Sequence, residues 1–222
     1  MWPNSWVRFV VASRLSQQHA PILSVGEARG RCRMRGIVNG FIGKGLVVAA
    51  TDAAYKNKLS AWGYLATDGR WGLDRWHPGS ARVDPTGPSA VLVAELRAVA
   101  FLLERQSNLP SLLLLDSAVA LGYLKSWQAG DVTRMPVGYS LRERWGGESK
   151  TPTLVRLANL MASHPGVQTE HVAGHRGHPL NEAADALASL AWRKLPTAET
   201  RTRAEGLAEA FLADWYRKRA VT

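Results

Sequence analysis

Apolar residues in this chain come in two rhythms, and the change of rhythm marks out its elements. Leu46-Val-Val-Ala-Ala-Thr51 is a short, partly β-branched apolar run that suits a buried strand, and Asp52 ends it. Ser60 to Thr67 and Arg70 to Trp76 read as two further strands, joined by the Asp68-Gly69 hairpin signal. From about Ser89 to Arg105 the spacing becomes helical, with Leu92, Leu96, Val99, Leu102 and Leu103 forming an apolar stripe. Leu112-Leu-Leu-Leu115 repeats the short strand pattern and is closed by Asp116, after which Ser117 starts a helix predicted over about Ala118 to Gln128. A helix over Pro152 to Ser163 and a last strand over Gln168 to Ala173 follow. Pro179 announces another helix, with Asn181 as its expected N-cap. Glu199 to Arg219 reads as an amphipathic helix whose Leu207, Phe211, Leu212 and Trp215 share one face, with core cover as its simplest role. Three strands connected antiparallel, then strands separated by helices, predict an α/β fold: a mixed five-stranded sheet flanked by helices.

Four acids interrupt these patterns where apolar residues would be expected. Asp52 and Asp116 stand at the carboxyl ends of strands, where ligands of open α/β sheets collect, so on neighbouring parallel strands they would point into one crevice. Glu95 lies three residues after Leu92 and four before Val99, within the core-facing stripe itself. Asp185 comes one turn into its helix. Each has an ordinary explanation alone: turn or cap residues for the strand acids, a snorkelling side chain for Glu95, a dipole complement for Asp185. Together, acids converging on buried ground need a cation to offset their charge.

The order strand acid, helix acid, strand acid, helix acid resembles the type 1 ribonuclease H family over roughly Leu46 to Trp192. The most specific stretch runs from His171-Val-Ala-Gly-His175 through Asn181-Glu-Ala-Ala-Asp185, a glycine-histidine loop followed ten residues later by an aspartate. Thr51-Asp52 with Trp62-Gly63-Tyr64, Ala94-Glu95-Leu96 and Leu115-Asp116-Ser117 supply the other matches. The resemblance implies a ribonuclease H-like fold and endonucleolytic hydrolysis of the RNA strand of RNA/DNA hybrids, giving 5′-phosphate and 3′-hydroxyl ends. It also implies two divalent ions about 4 Å apart, Mg²⁺ with Mn²⁺ able to substitute. Asp52 would bridge both, Asp185 would help hold the ion that activates water, and Glu95 and Asp116 the ion beside the leaving group. His175 takes the place of the family's mobile loop histidine, handling protons or product release, with Gly174 and Gly177 permitting movement. The glycine-rich stretch expected after the first aspartate is replaced by Ala53-Ala-Tyr-Lys-Asn-Lys58, and Ser89 to Leu92 stands where the family has Thr-Asn-Asn. Those departures touch the DNA-strand contacts; Lys56 and Lys58 would compensate by meeting phosphates.

Composition adds a partner and limits the alternatives. A net charge of +10 over 222 residues, 46% of them hydrophobic, describes a chain with a full core and a preference for polyanions. Cys32 is the single cysteine, which excludes an internal disulfide and a zinc cluster on cysteine, and no apolar run approaches membrane-spanning length. The expected organisation is a basic extension over residues 1–44, a catalytic domain over 45–195 and a C-terminal helix over 196–222. The extension reads as a nucleic-acid-binding arm, a leader or an organellar transit sequence; a cytoplasmic monomer is the expected state. Arg134 to Arg156 reads as a basic loop, matching the family's protrusion, in which Arg142, Arg144, Lys150 and Arg156 alternate with Tyr139 and Trp145. A solvated loop is the plain alternative there. His171, His175 and His178 lack the cysteines of a zinc site, and His178 reads as structural. Two rival functions stand: a related nuclease with another nucleic-acid preference, and a non-enzymatic nucleic-acid-binding protein on the same fold. Against an exonuclease, Asp52-Ala53-Ala54 lacks the Asp-x-Glu of the proofreading type.

Overall fold

In the computed structural model, residues 32–41, 45–76, 88–104, 108–141, 151–194 and 197–220 are described. Among these residues six strands occur, β1 (Cys32–Ile37), β2 (Val48–Lys56), β3 (Leu59–Ala66), β4 (Arg70–Trp76), β5 (Leu112–Leu115) and β6 (Gln168–His171). Five helices accompany them: α1 (Pro88–Leu103), α2 (Ala118–Gln128), α3 (Thr153–Ser163), α4 (Pro179–Arg193) and α5 (Ala198–Ala220). The strands form one mixed sheet in the order β1-β4-β3-β2-β5-β6. β1 to β4 pair antiparallel, whereas β5 and β6 run parallel to β2, as crossover helices require.

Turn chemistry sets the meander. The β2–β3 turn consists of Asn57 and Lys58 alone, at φ 52° and 62°. Positive φ at both central residues is the two-residue turn that matches the right-handed twist of its strands. This turn extends β2 well past the expected end at Thr51, so Asp52 lies inside the strand opposite Gly63. At the β3–β4 turn Gly69 has φ 90° and its N–H reaches Ala66 O at 3.0 Å, while Asp68 accepts from the Arg70 backbone N–H at 3.2 Å.

Each face of the sheet carries its own core. On one, α1, α2 and α3 pack Leu96, Phe101, Leu124, Trp127 and Leu154 against Ala49, Trp62, Tyr64, Leu113 and Leu115. On the other, α4 and α5 pack Leu180, Ala184, Leu187 and Leu212 against Val48, Ala50, Ala61, Leu65 and Leu114. α4 crosses β3 at Gly63, where a Cβ would stand 2.6 Å from the Ala184 carbonyl oxygen; only glycine admits so close a helix. The C-terminal amphipathic segment is core cover as expected, with Leu207, Phe211 and Trp215 packed on this second core.

The sixth strand is a correction to the expected five. β1 comes from the basic stretch before residue 44 and pairs with β4 from Cys32↔Arg75 to Ile37↔Arg70. Its arginines gave a polar reading, but they serve internal partners. Arg33 pairs with the fully buried Asp74 at 3.1 Å, and Arg35 donates to the carbonyls of Phe101 and Glu104, filling acceptors left open at the end of α1. Gly36 is required, since a Cβ there would meet the Trp71 ring at 2.5 Å. Among the described residues no helix is long and apolar enough to cross a membrane.

Candidate active site

The site grows from a mismatch of strand lengths. β5 pairs with β2 only from Val48 to Ala50, while β2 continues against β3 to Lys56. Just beyond the shared stretch, Asp52 projects from β2 and Asp116 follows the last residue of β5. Glu95 approaches from the middle of α1. One oxygen from each of these three carboxylates lies within 4.8 Å of the others. Two of the three are buried, Asp52 and Glu95 being 7% exposed each, and Glu95 Oε2 has no hydrogen-bond partner among the described residues.

Three carboxylates at this separation, two of them buried, cannot all ionise cheaply. Burial, and secondarily Asp116, push the Asp52 carboxyl up to about 7, against a hydrogen bond from the Ala53 N–H at 2.6 Å that favours its charged form. Glu95 is driven well above the ordinary carboxylate range by burial first and then by Asp52 and Asp116. Elevated, buried carboxyls of this kind, one with a partnerless oxygen, are a poor choice for stability and a suitable one for a hard cation.

A second group adjoins the first. His175, Glu182 and Asp185 also bring one donor atom each within 4.8 Å of one another, with His175 Nδ1 at 4.0 Å from Asp185 Oδ2. Asp185 and Glu182 both raise the Asp52 carboxyl further, so all the acids feel one field. All four predicted carboxylates therefore face the same end of the sheet. The loop carrying His175 passes directly over Asp116: a Cβ at Gly174 would lie 2.8 Å from Asp116 Oδ2.

A family profile described as RNase H matches residues 44–193. The chain belongs to the RNase H family. A ribonuclease H of Tropheryma whipplei (strain Twist) is 27% identical over 172 residues, spanning 73% of this chain and 94% of that protein, and the one from strain TW08/27 gives the same figures. Against the RNase H match, β1 and α5 stand outside on either side.

Some residues of this RNase H chain sit differently from the sequence expectation. The N-cap of α4 is His178, not Asn181, because Pro179 occupies the first helical turn; Asn181 is buried inside it. Glu182, part of the quoted motif but given no role, accepts the Gly177 N–H at 3.1 Å and so ties loop to helix. His171, set aside as a zinc ligand, contacts the Asp116 carbonyl oxygen through Nε2 at 3.0 Å. The histidine-to-carbonyl contact has no sequence signal, since it depends on the register of β6 against β5.

The residues expected to meet nucleic acid divide. Lys56 and Lys58 are exposed at the β2–β3 turn, with Lys56 Nζ 5.7 Å from the Trp192 ring. Arg142, Arg144, Trp145 and Lys150 lie outside the described residues. Tyr139 leaves the expected grip: it is buried, and its hydroxyl accepts the Leu154 N–H at 3.1 Å. Arg156 is likewise paired, with Glu104.

Proposed function

We propose that this protein hydrolyses the RNA strand of RNA/DNA hybrids endonucleolytically, using divalent cations, Mg²⁺ in the first place and Mn²⁺ as a substitute. The observation that carries this reading is the convergence of Asp52, Glu95 and Asp116 within 4.8 Å, with an unpartnered oxygen on Glu95. Membership of the RNase H family and similarity to the ribonucleases H of Tropheryma whipplei support the substrate class.

The residues present fit such ions. The donors are hard carboxylate oxygens, two of the carboxyls are buried, and mutual repulsion among them is what a dication would relieve. Asp52, Glu95, Asp116 and Asp185 would hold the ions, with Asp52 shared between them. When bound, a pair of divalent cations neutralises the reacting phosphate, lowers the pKa of an attacking water and stabilises the leaving oxygen. The chain's own side chains do the positioning. Asp52 and Asp116 fix the cleft from the sheet and Glu95 from α1. His175, exposed beside Asp185, is placed to take up or return a proton as products form. Attack by water on phosphorus with departure of the 3′ oxygen leaves 5′-phosphate and 3′-hydroxyl ends. Lys56 and Lys58 would meet the phosphate backbone at the turn of the β2–β3 hairpin, with Arg142, Arg144, Trp145 and Lys150 as the further grip.

End-labelled RNA/DNA hybrid, duplex RNA, duplex DNA and single strands, incubated with the protein with and without Mg²⁺, test the reading. Internal cuts in the RNA of the hybrid alone, dependent on the cation, are expected. Equal cutting of duplex DNA, or no cation-dependent cutting of hybrid, would overturn it.

A further inference from the structure

His175 holds an unfavourable backbone conformation with little packing of its own. Its φ is 52°, in the left-handed region that side chains with a Cβ avoid, yet its side chain is 78% exposed. Something other than burial must keep it there. The restraint is two residues on. Gly177, at φ 77°, is gripped on both sides of its peptide plane region: its N–H donates to Glu182 Oε1 at 3.1 Å, and its carbonyl oxygen accepts from Lys218 Nζ at 3.2 Å. The next residue, His178, sets its ring 5.4 Å from that of Trp215.

Glu182 is part of the acid cluster, but Lys218 and Trp215 belong to α5, beyond the residues 44–193 that match the family. That end of α5 is itself anchored. Leu212 is fully buried, and the Tyr216 hydroxyl donates to the Thr67 carbonyl at 2.7 Å. Arg219 lies over the Trp215 ring at 4.9 Å, and Asp214 Oδ2 stands 3.0 Å from Lys218 Nζ, aiming the ammonium. An anchored helix end thus reaches a loop that otherwise hangs on the Glu182 contact to Gly177.

We propose that α5 is a tether for the histidine loop, with Lys218 and Trp215 as positioning residues that keep His175 beside Asp185. The kinetic part rests on the function proposed above; the ordering of the loop does not. A hydrogen bond of ordinary net strength is comparable to the cost of one left-handed residue, so losing the tether lets the loop leave this geometry for a substantial fraction of the time.

Lys218→Met, which keeps the aliphatic stem, is the primary variant; Lys218→Arg is the conservative one and Trp215→Leu the second site. Hydrogen exchange of the segment around Gly177 should quicken in Lys218→Met and Trp215→Leu and stay near the parent's in Lys218→Arg, with β2 and β5 unaffected. On hybrid, kcat should fall roughly two- to tenfold in Lys218→Met at an unchanged KM, the range expected for one hydrogen bond. The decrease should vanish when Lys218→Met is made in a His175→Ala background. Unchanged loop exchange would overturn the tether. So would an equal loss of rate without His175, or a raised KM with a shallower salt dependence, since Lys218 would then be a phosphate contact. Because exchange needs no substrate, a parent protein that cleaves no hybrid would remove the proposed function and leave the tether standing on the exchange result.

Discussion

The two acidic groups of the site are built on opposite plans. Asp52 and Glu95 are 7% exposed and rise from the middle of a strand and a helix, whereas the Asp185 and His175 side chains are 37% and 78% exposed, at a helix start and on a loop. In the first group, position is dictated by elements that also carry the core, and the carboxyls have no freedom to escape their mutual repulsion. In the second, water screens the charges and local hydrogen bonds set the geometry. The difference separates a rigid, buried group of charges from an exposed, adjustable one; on the proposed function the first would hold cations and the second would handle protons. The rigid half costs stability, and the adjustable half needs tethering.

Removing charge from the rigid half should give the largest effect. On the proposed function, Asp52→Asn is expected to lower kcat on hybrid by on the order of 10³ or more, since losing a residue that would serve both ions would disable the unit as a whole. The variant should fold as well as the parent, because the amide removes charge and no packing volume. Calorimetry should show weakened Mg²⁺ or Mn²⁺ binding; activity within a few fold of the parent would remove Asp52 from this role.

Next in size is a pH effect on stability in the cation-free protein. The Asp52 carboxyl titrates near 7 when folded and near 3.8 when not, so between those values the native state holds a proton that the unfolded chain has lost. Stability should therefore fall as pH rises from about 4 to about 7, by up to on the order of 4 kcal/mol. Glu95, also raised, acts in the same direction. Urea unfolding in the presence of a chelator would read this slope, and Asp52→Asn should flatten it. A profile that climbs over that window would contradict the buried, repelling geometry.

The adjustable half should give the smaller loss. His175→Ala is expected to reduce kcat by roughly a hundredfold, the lower end of what a positioned proton-transfer group supplies, with hybrid affinity nearly unchanged. Loss of bound cation or of the fold in this variant would move His175 into the rigid group and dissolve the distinction.

The same division explains what could be read from the sequence. Asp52, Glu95 and Asp116 were legible because burial writes itself as apolar surroundings, and a charge inside such a run is conspicuous. Glu95 in the stripe of Leu92, Leu96 and Val99 is the clearest case. Asp185 and His175 were reached through their motif, as exposed residues leave no hydrophobic trace. The end of β2 was misjudged because Ala53-Ala-Tyr-Lys has no strong pattern, and its extension depends on left-handed Asn57 and Lys58, residue types only loosely tied to that turn. β1 is hidden for a related reason: Arg33 and Arg35 advertise solvent, while the partners they bond, Asp74 and the carbonyls of Phe101 and Glu104, lie some forty to seventy positions away. Contacts at such separations follow from topology, which local periodicity does not encode.

Arg201 donates from its Nη2 to the backbone carbonyl of Arg35 at 3.1 Å, across 166 positions of chain. Read in time instead of space, this sets an order of events on the ribosome. Residue 35 emerges well before residue 201, so the β1 edge can pair with β4 and plug α1 early but is sealed only when α5 is made. Until α5 is made the nascent sheet carries an incompletely covered margin, the kind of exposed edge on which chains associate.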